Sequence, residues 1–138
     1  MVLNLRIPEF DPDGLDKHAT GSKADAGKNR LGLVLGDFSR ALQAVGWVGT
    51  FGAAKYTDSG WTEVERGQER YHDAELRHWL QEAAGEQIDK DSGLLHAAHR
   101  AWNALVVLEL KLRDMPDDTL ENMGRTVTKK LEEHNDAA

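Results

Sequence analysis

The sequence contains no cysteine among its 138 residues, which excludes disulfide bonds and thiolate metal sites. The absence of cysteine also fits a protein of the reducing cytosol. Long apolar runs are missing as well, since no segment approaches the roughly 20 consecutive apolar residues that a membrane span needs. The N-terminus has neither the basic start nor the apolar stretch of a secretion signal. We therefore expect a soluble, cytoplasmic protein without a targeting segment.

Positive charge is also scarce. Lysine and arginine number 17 against 24 aspartates and glutamates, so the formal net charge is -7. This balance works against non-specific binding to nucleic acid, because such affinity comes mainly from counterion release by clustered lysines and arginines. A small anionic ligand can still bind in a local basic pocket. The sequence thus predicts neither a membrane nor a non-specific nucleic-acid partner.

Residues that favour turns are concentrated near the N-terminus. The first 30 residues hold two of the three prolines, an Asp-Pro-Asp-Gly turn at 11–14 and the Gly/Lys segment GSKADAGKNR at 21–30. We expect residues 1–20 to form an extended or flexible arm, with a short strand at Val2–Ile7. Residues 21–138 are expected to form a single α-helical domain.

Beyond the arm, apolar residues recur at intervals of three and four, which predicts four helices over about 34–54, 69–84, 94–114 and 119–134. Gly85 suits the C-terminal cap of the second helix, and Pro116 follows the third. Asp91 or Ser92 is the expected N-cap of the third helix. Four helices and no clear sheet predict an all-α bundle.

The second and third predicted helices carry polar faces that point to a site. At 100° per residue the second helix gathers its apolar side chains on one face and places polar ones on the other. The apolar set is Leu76, Trp79, Leu80, Ala83 and Ala84, and the polar set is Arg70, Asp73, Arg77, His78 and Gln81. The first three turns of the third helix present His96, His99, Arg100 and Asn103 on a face of their own. We expect these two polar faces to form one binding site.

Three carboxylates in the connector between these helices are candidate metal ligands. Glu86, Asp89 and Asp91 lie between the two polar faces, where they could join the histidines around a divalent ion such as Mg²⁺ or Mn²⁺. The alternative is that they are solvated residues near a turn, and that His96 and His99 are ordinary structural histidines. Spacing alone leaves both interpretations open.

A set of basic residues is suited to phosphate recognition, because guanidinium groups and loop lysines match phosphate oxygens. The set consists of Lys23, Lys28, Arg30, Lys55, Arg70 and Arg77. Tyr56 and Trp61 are candidates for stacking on a base. An ordinary solvated surface is the alternative for the lysines.

The order of these motifs resembles the phage domain found at the N-terminus of dATP/dGTP diphosphohydrolases, over about residues 21–112. The resemblance rests on KADAGKNRL, FGAAKY, the Gly60-Trp61 pair, RYHDA, the Arg77-His78 pair, GEQIDKDSG and HAAH followed by Asn103. It implies a role in nucleotide metabolism in the cytoplasm of an infected or lysogenic bacterial host. In two-domain members the activity is attributed to a MazG-like partner domain, whose Mg²⁺ is bound by Glu-x-x-Glu and Glu-x-x-Asp motifs. This chain offers Glu86-Gln-Ile-Asp89.

Two functions of different classes follow. As a metal-dependent (d)NTP diphosphohydrolase, the protein would release a nucleoside monophosphate and pyrophosphate, with Glu86 and Asp89 as catalytic residues and Glu86, Asp89 and Asp91 as metal ligands. As a non-catalytic binder, it would hold a nucleotide or a nucleotide-derived signal, regulating a pool or sequestering a host defence signal. The nucleotide-contacting set would include His78, His96, His99 and Asn103 beside the basic and aromatic residues named above.

The last predicted helix suggests self-association. Its apolar stripe, Leu120, Met123, Val127 and Leu131, is narrow and flanked by charged residues. We expect this stripe to contact a second copy of the chain, so that the protein forms a homo-oligomer. The alternative is that the helix folds back on residues 105–112 of its own chain.

Overall fold

The structure, a computed structural model, describes residues 9–138, so the strand expected at Val2–Ile7 lies outside the described residues. The prediction of an all-α protein is confirmed, since the described residues form helices and one isolated β-bridge, between Ile88 and Leu95. The elements are α1 (Gly32–Leu35), α2 (Ser39–Lys55), a 3-10 helix (Gly60–Glu63), α3 (Gly67–Ala83), α4 (His96–Arg113) and α5 (Thr119–Asp136). The four long helices match the four predicted ones. Within the described range, none of them is both long and apolar enough to cross a membrane.

Two helix boundaries differ from the sequence prediction. The first long helix begins at Ser39 rather than near residue 34, because residues 32–35 form a separate short turn of helix. Glycines at 32 and 36 favour this break, since glycine has a low helix propensity. The N-cap predicted at Asp91 or Ser92 is wrong: α4 begins at His96 and Leu95 occupies the cap position. The Ser92 hydroxyl accepts a hydrogen bond from the backbone N–H of Leu94 instead, at 3.2 Å.

Residues 31–116 form one compact unit, which contains α1 to α4. In it α3 packs along α4, and α2 also contacts α4. The buried apolar residues are Val48, Ala98 and Val106, whereas the buried part of α4 also includes the polar residues His96, His99 and Asn103. The helix pair α3–α4 therefore encloses a polar interior.

The apolar face predicted for α3 is turned away from this interior. Leu76, Trp79 and Leu80 are between 45% and 59% exposed. The polar residue His78 lies against α4, where its ring contacts the rings of His96 and His99. Because about half of each of these side chains is still exposed to water, burying them against another surface would be favourable.

The second compact unit includes residues 9–30 and 117–138 of the described chain. Its turn at 11–14 is organised by Asp11, a buried carboxylate that accepts hydrogen bonds from the backbone N–H groups of Lys23 at 2.7 Å and Asp13 at 2.8 Å. Lys28 lies 3.7 Å from the carboxylate of Glu9. On α5 the predicted stripe of Leu120, Met123, Val127 and Leu131 is between 55% and 66% exposed.

Candidate functional site

The connector between α3 and α4 is held by its own backbone hydrogen bonds. Gly85 has a φ of 98° and ends α3 as the sequence predicted, with its N–H and that of Glu86 bonded to carbonyls of the last helical turn. The β-bridge then pairs the N–H of Asp89 with the carbonyl of Leu94 at 2.8 Å, and the N–H of His96 with the carbonyl of Gln87 at 3.0 Å. The connector carboxylates are thereby fixed beside the first turn of α4.

Three histidines meet between α3 and α4. The Nδ1 atoms of His78 and His96 are 2.8 Å apart, and the ring of His78 stacks on that of His99 with centroids 4.4 Å apart and planes 6° from parallel. Burial lowers the pKa of His78, and the neighbouring His99 adds to this effect. Burial likewise lowers the pKa of His99. These two rings are therefore neutral at pH 7, which is the form that binds metals.

Two connector carboxylates contact the histidines. Glu86 Oε1 is 3.0 Å from His96 Nε2, and this hydrogen bond holds the pKa of Glu86 below its usual value. Because the glutamate is ionised, it accepts the bond and the proton lies on His96 Nε2. An imidazole with its proton on Nε2 has its lone pair on Nδ1, and in His96 this is the atom that faces His78.

Asp89 is fixed by Ser92. Its Oδ2 atom accepts hydrogen bonds from the Ser92 backbone N–H at 2.9 Å and from the Ser92 hydroxyl at 2.7 Å. Burial raises the pKa of Asp89, but the hydrogen bonds from Ser92 outweigh it and the net pKa is lowered. The Ser92 Oγ atom also lies 2.7 Å from His99 Nε2. Since the hydroxyl gives its single proton to the carboxylate, the imidazole N–H is the donor in that contact.

A group of three side chains in the described part of the chain could hold a metal ion. His78, Asp89 and His96 each offer one ligand atom, and these atoms all lie within 4.8 Å of one another. Of the three carboxylates predicted as ligands, Asp89 belongs to this group. Glu86 contacts the Nε2 atom of His96, and Asp91 forms an ion pair with Lys55 at 2.7 Å.

A cleft of about 1050 Å³ opens beside this group, between α2, the loop after it, α3 and α4. Lys55 at its wall lies 5.8 Å and 5.6 Å from the ring centres of Phe51 and Tyr56. The hydrogen bond to Asp91 raises the pKa of this lysine. The aromatic lining consists of Phe51, Tyr56, Trp61, Tyr71 and Trp102. His78, Asp89 and His99 also line the cleft, so the histidine group and the cleft form one site.

The structure brings together ten of the fifteen residues that the sequence analysis assigned to catalysis, metal binding or nucleotide binding. Those lining the cleft are Lys55, Tyr56, Trp61, His78, Asp89, Asp91, His99 and Asn103, while Glu86 and His96 contact its histidine group. Arg70 and Arg77 are exposed and do not line the cleft, and Arg70 donates to the carbonyl of Glu65 at 3.4 Å. Lys23, Lys28 and Arg30 belong to the other unit.

Sequence reasoning missed three aromatic residues and one hydroxyl of this site. Phe51 precedes Lys55 by four residues and Trp102 follows His99 by three, so helical spacing alone could have placed each beside a named residue. Tyr71 lies seven residues before His78, two helical turns away on the same face. Ser92 was considered only as a helix cap, and its bond to Asp89 depends on how the connector folds.

Comparison with known proteins gives one result that bears on the site. A family model described as "dATP/dGTP diphosphohydrolase, N-terminal" matches residues 18–119. No curated protein and no solved structure matches the chain. The matched residues include α1 to α4 and every residue that lines the cleft.

Proposed function

The chain belongs to the dATP/dGTP diphosphohydrolase N-terminal family, and from this membership we propose that it is a phage protein that hydrolyses (d)NTPs with the help of a divalent cation. The products are a nucleoside monophosphate and pyrophosphate. The observation that carries the proposal is the position of Asp89, which both lines the cleft and belongs to the group of converging ligand atoms. A substrate in the cleft would therefore lie against a metal-binding group.

The charge of the cleft supports a role for a cation. Among the described residues, the lysine and carboxylate side chains that line the cleft are one lysine, Lys55, and three aspartates, Asp58, Asp89 and Asp91. The lysine is already paired with Asp91. A strongly anionic triphosphate would be repelled by this surface. A divalent ion held by His78, Asp89 and His96 would offset the charge of both the carboxylates and the phosphates, and it would supply Lewis-acid chemistry to the reacting phosphoryl group and to a bound water.

The protein's own residues have distinct tasks in this proposal. The Lys55 ammonium exchanges its contact with Asp91 for a phosphate oxygen, and the aromatic side chains of Tyr56 and Trp61 form the surface on which a base stacks. Asp89 acts at the reacting phosphate, whereas Glu86 acts through its hydrogen bond to His96. Arg70 and Arg77 remain predicted phosphate contacts that would approach from outside the cleft lining.

The test is a turnover assay with purified protein, a panel of ribo- and deoxyribonucleotides, and Mg²⁺ or Mn²⁺. We expect pyrophosphate release from a triphosphate, and loss of turnover in Asp89→Asn with the helical content unchanged. Asp58→Asn is the matched control, because Asp58 lines the same cleft outside the ligand group and should keep activity. Binding without pyrophosphate release with either metal would refute the proposal.

A non-catalytic binder is the second candidate, and the volume and aromatic lining of the cleft favour it. A cleft of about 1050 Å³ with five aromatic side chains can hold a whole nucleotide or a larger nucleotide-derived signal. In this case the protein would regulate a nucleotide pool or sequester a host defence signal. A nucleotide-induced rise in melting temperature without product formation identifies this function.

We also propose that the protein acts as a homo-oligomer in the cytoplasm of a bacterial host. The support comes from two half-exposed apolar faces, that of α3 with Leu76, Trp79 and Leu80, and the stripe of α5. Contiguous exposed apolar surface of this kind commonly marks an interface.

A further inference from the structure

The ligand atoms of the metal-binding group indicate which cation the site prefers. Two of the three converging side chains, His78 and His96, offer imidazole nitrogens, and the third, Asp89, offers a carboxylate oxygen. Mg²⁺ prefers oxygen ligands and retains several waters, whereas imidazole suits Fe²⁺, Ni²⁺, Cu²⁺ and Zn²⁺, and the affinity of a nitrogen-containing site rises from Mn²⁺ through Co²⁺ to Cu²⁺. This set differs from Glu86, Asp89 and Asp91, the ligands named for the diphosphohydrolase interpretation of the sequence.

The distance between the two histidines fits a shared cation. Two nitrogens that bind one ion at about 2.1 Å in adjacent octahedral positions are about 3.0 Å apart. The Nδ1 atoms of His78 and His96 are 2.8 Å apart. When no cation is bound, His78 Nδ1 donates its proton to His96 Nδ1. A metal ion would take the place of that proton, which moves to Nε2 of His78, without a rearrangement of the helices.

Each of the three side chains is oriented by a neighbour. Glu86 accepts the Nε2 proton of His96 at 3.0 Å, which directs the Nδ1 lone pair towards His78. Ser92 binds Asp89 through Oδ2 and leaves Oδ1 to a cation. His99 stacks on His78 and fixes the plane of its ring. Hydrogen-bonded carboxylates behind metal-binding histidines are a common feature of metal sites, where they hold the ring and its tautomer.

We propose that the cation of this site is a first-row transition metal ion rather than Mg²⁺, bound by His78 Nδ1, Asp89 and His96 Nδ1, and that Glu86 is a positioning residue rather than a ligand. The catalytic role of the ion rests on the proposed function, whereas its binding to these residues does not. Three protein ligands leave coordination positions for water and phosphate oxygens. Asp91, which pairs with Lys55, lies outside the ligand set.

The experiment measures metal binding by the full chain without nucleotide. After treatment with EDTA and its removal, the protein is titrated with CoCl₂, MnCl₂ and MgCl₂ by calorimetry, and Co²⁺ binding is followed by visible absorption. We expect Co²⁺ to bind at least about 10-fold more tightly than Mg²⁺, with Mn²⁺ between them, and nitrogen ligation to give visible Co²⁺ bands. Equal affinity for Mg²⁺ and Co²⁺, or the absence of Co²⁺ binding, would overturn the proposal.

Variants separate the ligands from the positioning residue. We expect Asp89→Asn to lose Co²⁺ binding and Asp91→Asn to keep it, with circular dichroism confirming that both are folded. Glu86→Ala should weaken binding about 10- to 100-fold. Glu86→Gln should restore much of the affinity, because its amide oxygen still accepts the His96 proton. Equal losses in Glu86→Gln and Glu86→Ala would instead make Glu86 a ligand and refute its positioning role.

The His72→Gln variant tests whether a surface histidine outside the ligand group contributes to Co²⁺ binding. His72 lies on α3 with its Nδ1 atom 3.9 Å from Glu75 and away from the cleft, so His72→Gln should leave Co²⁺ affinity unchanged. Because no nucleotide is present, these results do not depend on turnover. Pyrophosphate release in Mg²⁺ by a protein that does not bind Co²⁺ would remove this inference and leave the proposed function intact.

Discussion

Gly49 on α2 and Trp102 on α4 approach so closely that a Cβ atom on the glycine would lie 2.6 Å from Cζ3 of the indole ring. Real Cβ atoms do not come this near to a ring carbon, so only glycine fits here. Trp102 also lines the cleft, and its ring position is therefore set by the absence of a side chain on α2. The contact couples the packing of α2 on α4 to the shape of the binding site.

Gly49→Ala should consequently destabilise the protein, because the added methyl group overlaps the indole ring. We expect the free energy of unfolding to fall by about 1–3 kcal/mol, measured by urea denaturation. Gly46→Ala is the matched control on the same helix, where nothing lies within 4 Å of the added Cβ. There the higher helix propensity of alanine should raise stability by up to about 1 kcal/mol. Equal effects of the two substitutions would show that the close approach does not exist.

Lys55→Met should weaken nucleotide binding, because it removes the cation that lines the cleft. A charge-assisted contact contributes about 1.5–3 kcal/mol, so we expect Kd to rise roughly 10- to 100-fold in calorimetric titrations. Arg77→Ala, measured in parallel, tests the sequence prediction that this exposed arginine also reaches the phosphates. Unchanged affinity in Lys55→Met would exclude the lysine from phosphate binding.

The buried carboxylate of Asp11 should make the turn at 11–14 sensitive to acid. The hydrogen bond from the Lys23 backbone N–H, aided by those from Asp13 and Leu15, lowers the pKa of Asp11 below its ordinary value of 3.8. The ionised carboxylate therefore stabilises the folded turn fully above that value, and this contribution is lost as the pH falls through the lowered pKa.

The measurement is hydrogen exchange of the Lys23 amide by NMR, normalised for the intrinsic exchange rate at each pH. Protection should be constant from pH 7 to about 5 and decline below about 3.8. Asp11→Ala should abolish it at every pH, whereas Asp13→Ala, which replaces an exposed side chain, should not. Protection of Lys23 in Asp11→Ala would contradict the role of this carboxylate.

The stripe of α5 should mediate self-association. Light scattering coupled to gel filtration at micromolar concentration is expected to give a particle mass that is a multiple of 15.3 kDa. Leu120→Glu and Val127→Glu should reduce this mass, because each introduces a charge into the apolar stripe. Lys129→Glu, on the opposite face of the helix, is the control. A particle with the mass of one chain, measured for the unsubstituted protein, would contradict self-association.

The number of helices and the end of α3 could be predicted from the sequence because both depend on local interactions. The spacing of apolar residues gave four long helices, and Gly85 was identified as the cap of α3 because left-handed backbone favours glycine. Helical spacing also placed His96 and His99 on one face. These features depend on residues close together in the chain.

The composition of the site required the tertiary structure. Periodicity gives the direction of a side chain around its own helix, but not which face a neighbouring helix covers. The apolar face of α3 would ordinarily be expected in the core, yet Leu76, Trp79 and Leu80 are half exposed and His78 lies against α4.

The pairings of the charged residues also depend on the tertiary structure. The sequence placed Glu86, Asp89 and Asp91 together as metal ligands because they share a short connector. The fold gives them different partners, since Glu86 contacts His96, Asp89 contacts Ser92, and Asp91 contacts Lys55, 36 residues earlier in the chain. The sequence by itself determined the helices and the side chains available for chemistry. Only the packing of α2, α3 and α4 decided which of them meet, because these contacts join residues whose separation in the chain carries no information on their distance in space.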